Sequence, residues 1–395
     1  MEVPGPVDVV VIGGGVIGLS AAWYAARDGA SVVVLDPEPG RGATWAAAGM
    51  LAPVGEAHFG EEPLARLNVL AAQAWPAFAE ALEAASGTAV AYRATGTVAA
   101  AVDASDRAAV DDVLRFQLAL GLDARRLSSG QCRELEPLLA PGIRGGAEFA
   151  GDHQVDNRLV VAALLEACGR AGVTVVADEA STVTVTGDRV AGVALRGGGT
   201  VAAGAVVLAA GCRSGQVGGL PPEAVPPVRP VKGLTLRLRA PASGPALVRT
   251  VRGLVHGRSC YLVPRADGSI VVGATMEERG FDLTVQAGPV HDLLDDARTV
   301  VPAVDEYGLE ELTTGSRPGT PDNAPVVGRA GPDGLVVATG HFRNGILLTP
   351  VTAEAVAALL AGRPVDAAMA PCGPGRFAPD EAAGPTGRAG TPVGA

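Results

Sequence analysis

The sequence predicts an α/β chain: a Rossmann-like dinucleotide-binding unit at the start, followed by a strand-rich second region. Three observations predict the first part. The apolar run Val7–Ile12 leads directly into Gly13-Gly14-Gly15-Val16-Ile17-Gly18. Residues 19–28 read as a helix that stops at Gly29. A β-branched run, Val32–Leu35, then ends on Asp36. Strand, glycine turn, helix and strand in this order make a βαβ unit.

The rest of the chain alternates helices and strands. Residues 41–53 are rich in small side chains, and helices are expected over 63–86 and 104–121, with short strands near 89–93 and 96–102. Asp156 and Asn157 are capping candidates for a helix over 158–171. Strands follow at 173–177, 183–186, 190–195, 200–203 and 206–210, with Gly187-Asp188 and Gly197-Gly198-Gly199 at the turns. A proline-rich stretch over 221–230 reads as a crossover to strands at 234–238, 259–264 and 269–274. A helix over 292–301, turn chemistry over 314–325, a strand at 335–339 and a helix at 351–360 begun by Pro350 complete the pattern. Beyond Pro371 the Gly, Pro, Ala and Thr content predicts a disordered tail over 371–395.

A length of 395 residues suggests two domains, and 48% hydrophobic residues supply their cores. The net charge of −11, without basic runs, argues against nucleic acid and anionic membrane surfaces as partners. No apolar run reaches spanning length, and the start of the chain reads as a strand, not a signal peptide. The five cysteines are scattered, with no CxxC and no Cys/His cluster, so no metal site is expected and a reducing cytoplasm fits. Lys232 is the only lysine; a surface position is the simpler reading, with a role beside a bound ligand as the alternative.

Four segments carry chemistry. In the glycine turn, Gly13 permits the tight turn, Gly15 lets backbone approach a pyrophosphate, and Gly18 lets helix and strand pack closely. The helix N-terminus then offers free N–H groups and a positive dipole end. Asp36 stands where a carboxylate meets ribose hydroxyls, and the absence of a basic replacement disfavours a 2′-phosphate; FAD and NAD both remain open. The second segment, Ala43-Thr44-Trp45-Ala46-Ala47-Ala48-Gly49-Met50-Leu51, is small enough for close backbone approach to a flat ligand, although composition alone favours an alanine-rich helix. The third, Gly340-His341-Phe342-Arg343-Asn344-Gly345-Ile346-Leu347, lies between a strand and a helix, where open α/β sheets bind ligands. The fourth, Arg317-Pro318-Gly319-Thr320, holds an arginine in turn chemistry; a solvated surface arginine is the simpler reading.

Together with Ala46–Pro53, Cys260-Tyr261-Leu262-Val263-Pro264-Arg265 and Gly273-Ala274-Thr275-Met276, these segments resemble glycine oxidase, the thiamine-pathway branch of the FAD-dependent D-amino-acid oxidase family. The resemblance covers about residues 7–370. It implies a discontinuous FAD-binding domain over 1–88, 150–226 and 314–370, and a substrate domain with a large antiparallel sheet over 89–149 and 227–313. It implies non-covalent FAD held by Gly13, Gly15, Val16, Ile17, Gly18, Asp36, Pro37, Ala43, Thr44, Ala48, Gly49 and Met50. His341, Phe342, Arg343, Asn344, Gly345, Ile346 and Leu347 would line the flavin ring. Arg317 and Tyr261 match the residues that grip the substrate carboxylate, and Met50, Met276 and Arg343 match the pocket lining. Ser259 stands where some relatives carry His, and Cys212-Arg213 replaces a more usual small-aromatic pair.

The implied activity is oxidative deamination of glycine and other small amines: hydride passes to flavin N5, an imine leaves, and O2 reoxidises the flavin with release of hydrogen peroxide. The implied partners are the thiazole-forming enzyme of thiamine synthesis and further copies of the chain in a homotetramer. The alternatives are a sarcosine or D-amino-acid oxidase, a dehydrogenase with an acceptor other than O2, and a non-catalytic flavin-binding subunit. His341 is assigned to the flavin rather than to proton transfer, and Cys260, a strand neighbour of Tyr261, is expected to point away from the ligand.

Overall fold

The protein is described by a computed structural model covering residues 4–242 and 244–377. Two large sheets organise it. The first runs Val326–Arg329, Leu335–Thr339, Thr200–Leu208, Val7–Ile12, Val32–Leu35, Thr174–Val176. Its central pairings are parallel: Val10 faces Val206 on one side and Val33 on the other. Central parallel strands are covered on both faces, which explains their unbroken Val/Ile/Leu character. The antiparallel hairpin Ala180–Thr186/Arg189–Leu195 extends from Thr200–Leu208. Helices Val16–Arg27, Glu62–Ser86, Asn157–Arg170 and Thr349–Leu360 contribute to the core on one face, around Trp23, Trp75 and Leu164.

The second sheet runs Gly308–Gly319, Arg229–Arg239, Ser269–Gly273, Arg258–Pro264, Thr250–Val255, Thr97–Ala101, Gly146–Phe149, Arg125–Leu127. Every pairing is antiparallel except Thr97–Ala101 with Thr250–Val255. One face packs Leu234, Leu236, Leu262 and Val272 against the helix Ala287–Val300. The intervening positions, Gly233, Thr235, Ser259 and Tyr261, turn toward a cavity shared with the first sheet. Strands of the first sheet fall within 1–88, 150–226 and 314–370. Those of the second fall within 89–149 and 227–313, except that Gly308–Gly319 runs through position 314.

Several local expectations are corrected. The separate strands expected at 200–203 and 206–210 are one strand, Thr200–Leu208, which runs through Gly204 without a break; a Cβ there would meet only Asp8 O, at an ordinary 3.7 Å. Residues 89–93 form no strand beyond a single bridge from Arg93 to Gln154. Arg317 lies in the edge strand Gly308–Gly319, opposite Val231, and not in a turn. Lys232 is not at the surface: it is 1% exposed, and its Nζ donates to Thr284 O (2.5 Å) and Gln286 Oε1 (2.7 Å). The first residues of the expected tail are folded. Short 3-10 turns span Ala367–Cys372 and Pro374–Phe377, Cys372 is buried, and Arg376 pairs with Asp322 at 2.7 Å. Residues 378–395 lie outside the described residues. Among the described residues no helix is long and apolar enough to cross a membrane.

Candidate functional site

A cavity of about 950 Å³ runs from the glycine turn to the second sheet. Its nucleotide end is built by glycines doing three different jobs. Gly13 has φ +107°, and a Cβ there would lie 2.4 Å from Ala209 O. A Cβ on Gly18 would lie 1.9 Å from Gly13 O, so this glycine seats the helix on the strand. Gly15 meets only Thr44 Oγ1, at 3.3 Å, and faces the cavity. Gly15 caps the helix Val16–Arg27 with no side-chain hydrogen bond, and the Val16 N–H reaches Thr44 Oγ1 at 3.2 Å. A helix start that opens into a cavity is a ready anion site, with its N–H groups and positive dipole end turned to the space. Asp36 also lines the cavity, with Oδ2 accepting from Gly14 N–H (2.6 Å) and Oδ1 from Glu38 N–H (2.8 Å). Each oxygen keeps a second lone pair for a ribose hydroxyl.

The small-residue run forms the middle of the cavity. Only Ala43–Ala46 is helical, so the run is not the alanine-rich helix its composition favours. Small side chains are required because the second sheet presses on it: a Cβ on Gly315 would stand 2.7 Å from Ala46 Cβ, and Thr235 Oγ1 donates to Ala46 O at 3.1 Å. Gly49 has φ +70°, and a Cβ there would lie 2.1 Å from Val155 O. Buried Arg265 ties this segment down, donating to Ala48 O (2.7 Å) and Val155 O (2.9 Å), and burial pushes its guanidinium down to about 10. Ala43, Thr44, Ala48, Gly49 and Met50 all line the cavity, as do Val16, Ile17 and Pro37.

The segment after the strand Leu335–Thr339 supplies His341, Phe342, Arg343, Gly345 and Ile346 to the cavity wall. Gly18, Asn344 and Leu347 do not line it. Gly18 is consumed by helix packing, Asn344 is buried, and Leu347 packs in the core with its carbonyl accepting from Trp75 Nε1–H at 2.8 Å. His341 is 3% exposed with Nε2 on Thr352 Oγ1 at 3.0 Å, and burial pushes its imidazole down to about 3. It is therefore neutral near pH 7. Cys260 packs into the core away from the cavity, its thiol pushed up to about 12 by burial.

At the far end Tyr261 and Arg317 stand side by side. Burial pushes the Tyr261 phenol up, and the Arg317 guanidinium beside it opposes the rise. Arg317 donates from Nη1 to Thr275 O at 3.0 Å and has no carboxylate partner among the described residues. Two glycines make room for the pair. A Cβ on Gly233 would stand 2.4 Å from Arg317 Nη1, and one on Gly273 would stand 2.4 Å from the Tyr261 hydroxyl. Met50, Met276 and Arg343 line the same end. Arg343 differs from Arg317 in being paired, through Nε to Glu56 Oε2 (3.2 Å) and Nη2 to Glu61 Oε2 (2.7 Å).

Glu56 and Arg252 line this end without having been singled out from the sequence. Their signal was tertiary: Arg252 stands opposite Tyr261 on the neighbouring strand, and Glu56 reaches it at 2.5 Å from a loop far away in the chain. Burial pushes the Glu56 carboxyl up, but Arg252, His58 and Arg343 outweigh it and hold it well below the usual carboxylate range. Away from the cavity, Asp103, Asp106 and His256 approach one another, but both Asp106 oxygens are taken by the His256 and Gly257 N–H groups, and Asp103 caps a helix.

A helix start open to the cavity, an acidic residue at the end of the second strand, a small-residue wall and an arginine without a carboxylate partner among the described residues fit FAD and make the class an FAD-dependent oxidoreductase. Residues 8–359 match the family of FAD dependent oxidoreductases termed DAO, and the chain belongs to that family. It is 34% identical to the glycine oxidase of Geobacillus kaustophilus, covering 89% of this chain and 92% of that protein. A crystal structure of glycine oxidase from Geobacillus kaustophilus superposes with a TM-score of 0.86 at 32% identity, covering 94% of this chain and 98% of the other. An iminodiacetate oxidase structure from Chelativorans matches with a TM-score of 0.82 at 26% identity, over 93% and 98%. The bifunctional protein ThiO/ThiG of Trichormus variabilis is 34% identical over 89% of this chain, and the chain spans about half the length of that relative, 52%.

Proposed function

We propose that this enzyme oxidises glycine and comparably small amines, producing an imine that hydrolyses to glyoxylate and ammonia, with O2 as acceptor and hydrogen peroxide as by-product. The observation that carries the reading is Arg317: a cavity-lining arginine with one backbone anchor, no carboxylate partner among the described residues and a tyrosine hydroxyl beside it. An arginine with free N–H donors in a cavity recognises a planar anion, and a carboxylate fits the fork. FAD, when bound, supplies the acceptor for the hydride leaving the substrate Cα.

Arg317 and Tyr261 hold the substrate carboxylate and thereby orient its Cα and amine toward the small-residue wall at Ala48–Gly49. Gly13, Gly15, Val16, Ile17, Asp36, Pro37, Ala43, Thr44 and Met50 hold the cofactor along the same wall, and His341, Phe342, Arg343, Gly345 and Ile346 close its other side. Gly18, Asn344 and Leu347 support these residues from behind. His341 is not assigned proton transfer: its Nε2 is engaged by Thr352, and burial disfavours the imidazolium it would have to become. Along one wall the charges of Arg343, Glu56 and Arg252 would be buried by a bulky apolar side chain at a desolvation cost, which favours glycine, sarcosine and short D-amino acids.

The two sheets correspond, in this reading, to an FAD-binding domain over 1–88, 150–226 and 314–370 and a substrate domain over 89–149 and 227–313. The protein works in the cytoplasm, in keeping with five free cysteines; it assembles, in the same proposal, as a homotetramer, and its glycine imine serves the thiazole-forming enzyme of thiamine synthesis. The likeness to ThiO/ThiG supports that partner. The test is spectroscopic. Anaerobic glycine bleaches the flavin of the purified protein, and air restores the colour with peroxide release. A flavin that glycine leaves oxidised overturns the proposal; bleaching without peroxide on aeration assigns a different acceptor.

A further inference from the structure

The unpredicted charges at the substrate end form a continuous chain: Arg252, Glu56, Arg343, Glu61. Arg252 Nη1 meets Glu56 Oε1 at 2.5 Å, Arg343 Nε meets Glu56 Oε2 at 3.2 Å, and Arg343 Nη2 meets Glu61 Oε2 at 2.7 Å. The chain is balanced, two cations against two anions. Glu61 is further held by Asn323 Nδ2 at 2.7 Å and does not line the cavity, whereas Glu56, Arg252 and Arg343 do. The Glu56 carboxylate therefore occupies the space between two cavity-lining arginines. It bridges them as an incoming carboxylate would, with one oxygen on each guanidinium.

The position of this pair relative to the proposed carboxylate clamp is set by the sheet. Arg252 is the cross-strand partner of Tyr261, and Tyr261 experiences the charges of Arg317, Glu56 and Arg252 together. Ser259, two residues before Tyr261 on the same face, lines the cavity with a small side chain. Glu56 itself is held in place by the loop that carries it. Val54 N–H and Gly55 N–H donate to the two oxygens of buried Asp152, at 2.9 and 2.8 Å.

We infer that Glu56 is the specificity-determining residue of this cavity: it fills a second carboxylate site with the chain's own carboxylate, and so restricts the enzyme to substrates with a single carboxylate. An amino acid bearing a second carboxylate, on its nitrogen or side chain, would place it against Glu56 and be repelled. With that one negative charge removed, Arg252 and Arg343 become a bidentate anion site beside the Arg317 clamp, and dicarboxylic amino acids become ligands. This inference rests on the small-amine reading above for the identity of the substrate, but the two-arginine site can be tested without turnover.

The experiment titrates the oxidised holoenzyme with acetate and with glutarate, following the flavin visible spectrum. Glutarate has the reach of an N-carboxymethyl amino acid and no amine, so it reports anion binding alone. In the unaltered protein glutarate binds no tighter than acetate. In Glu56→Gln the preference for glutarate over acetate rises about tenfold or more, the worth of one charge-assisted hydrogen bond. Adding Arg252→Met removes the gain. If Glu56→Gln yields no flavin-loaded protein, Glu56→Ala, which also removes the carboxylate, shows a shift in the same direction. A glutarate-to-acetate ratio unmoved by either Glu56 variant, or a gain that survives the loss of Arg252, overturns the inference. Failure of glycine to bleach the flavin would overturn the proposed activity and leave these anion titrations readable.

Discussion

Replacing Gly233 with alanine tests the carboxylate clamp while leaving both of its side chains in place. Gly233 lies on the strand Arg229–Arg239 beneath the Arg317 guanidinium, and its φ is not in the left-handed region, so alanine suits the backbone. The added Cβ would stand 2.4 Å from Arg317 Nη1 and 2.7 Å from Cζ, against ordinary contact at 3.4–4 Å. The guanidinium must therefore move by roughly 1 Å, beyond the ~0.5 Å that a recognition site tolerates. The clashing atoms are the far end of a flexible side chain, so the fold absorbs the change. Losing one charge-assisted hydrogen bond to the substrate carboxylate costs about 1.5–3 kcal/mol, or roughly 10- to 150-fold in KM. The assay is steady-state oxidation of glycine together with flavin content and a thermal melt. A raised KM with full flavin and an unchanged melting temperature is expected. An unchanged KM would refute the assignment of Arg317 to the substrate carboxylate.

Further expectations follow from the same geometry. Arg317→Ala raises KM more than Gly233→Ala does, with flavin retained. Tyr261→Phe removes a neutral hydrogen bond and costs only about 0.5–1.5 kcal/mol; kinetics showing the tyrosine to matter more would reverse the two roles. Gly18→Ala forces a Cβ to 1.9 Å from the backbone oxygen of Gly13, which cannot step aside, so the purified variant carries little flavin in its absorption spectrum. His341, pushed from 6.5 down to about 3 by burial, stays neutral in the folded protein while the unfolded chain takes up a proton. Its contribution to stability is present above about pH 6.5 and is lost as pH falls, by at most about 1.4 kcal/mol per pH unit. Thermal melts at pH 5 and 7 should show a shallower pH dependence for His341→Gln than for the unaltered protein.

The first strand, the glycine turn, the first helix and Asp36 were legible because their signals are local. A buried parallel strand demands an apolar run, and a phosphate cradle demands glycine where a Cβ would strike backbone. Arg317 and Tyr261 were legible only through the motifs around them; nothing local separates Arg317 from a solvated arginine, and its local signal suggested a turn. Lys232 read as surface because a lone lysine usually is, and its burial depends on acceptors at Thr284 and Gln286 far along the chain.

The dinucleotide-binding unit is written into the chain locally, since it depends on side chains being absent at named positions; the small-residue run is visible too, but its non-helical path follows from the second sheet packed on it. Only the tertiary structure decided which charges meet. Arg343 and Arg317 are both arginines flanked by glycine-rich segments, yet one is neutralised by Glu56 and Glu61 and the other is left with free donors. Arg252 reaches Glu56, and thus the wall of the substrate site, because antiparallel pairing sets it opposite Tyr261. Charge pairing acts over a few ångströms in space between residues that can be hundreds of positions apart in sequence, so no local pattern records it.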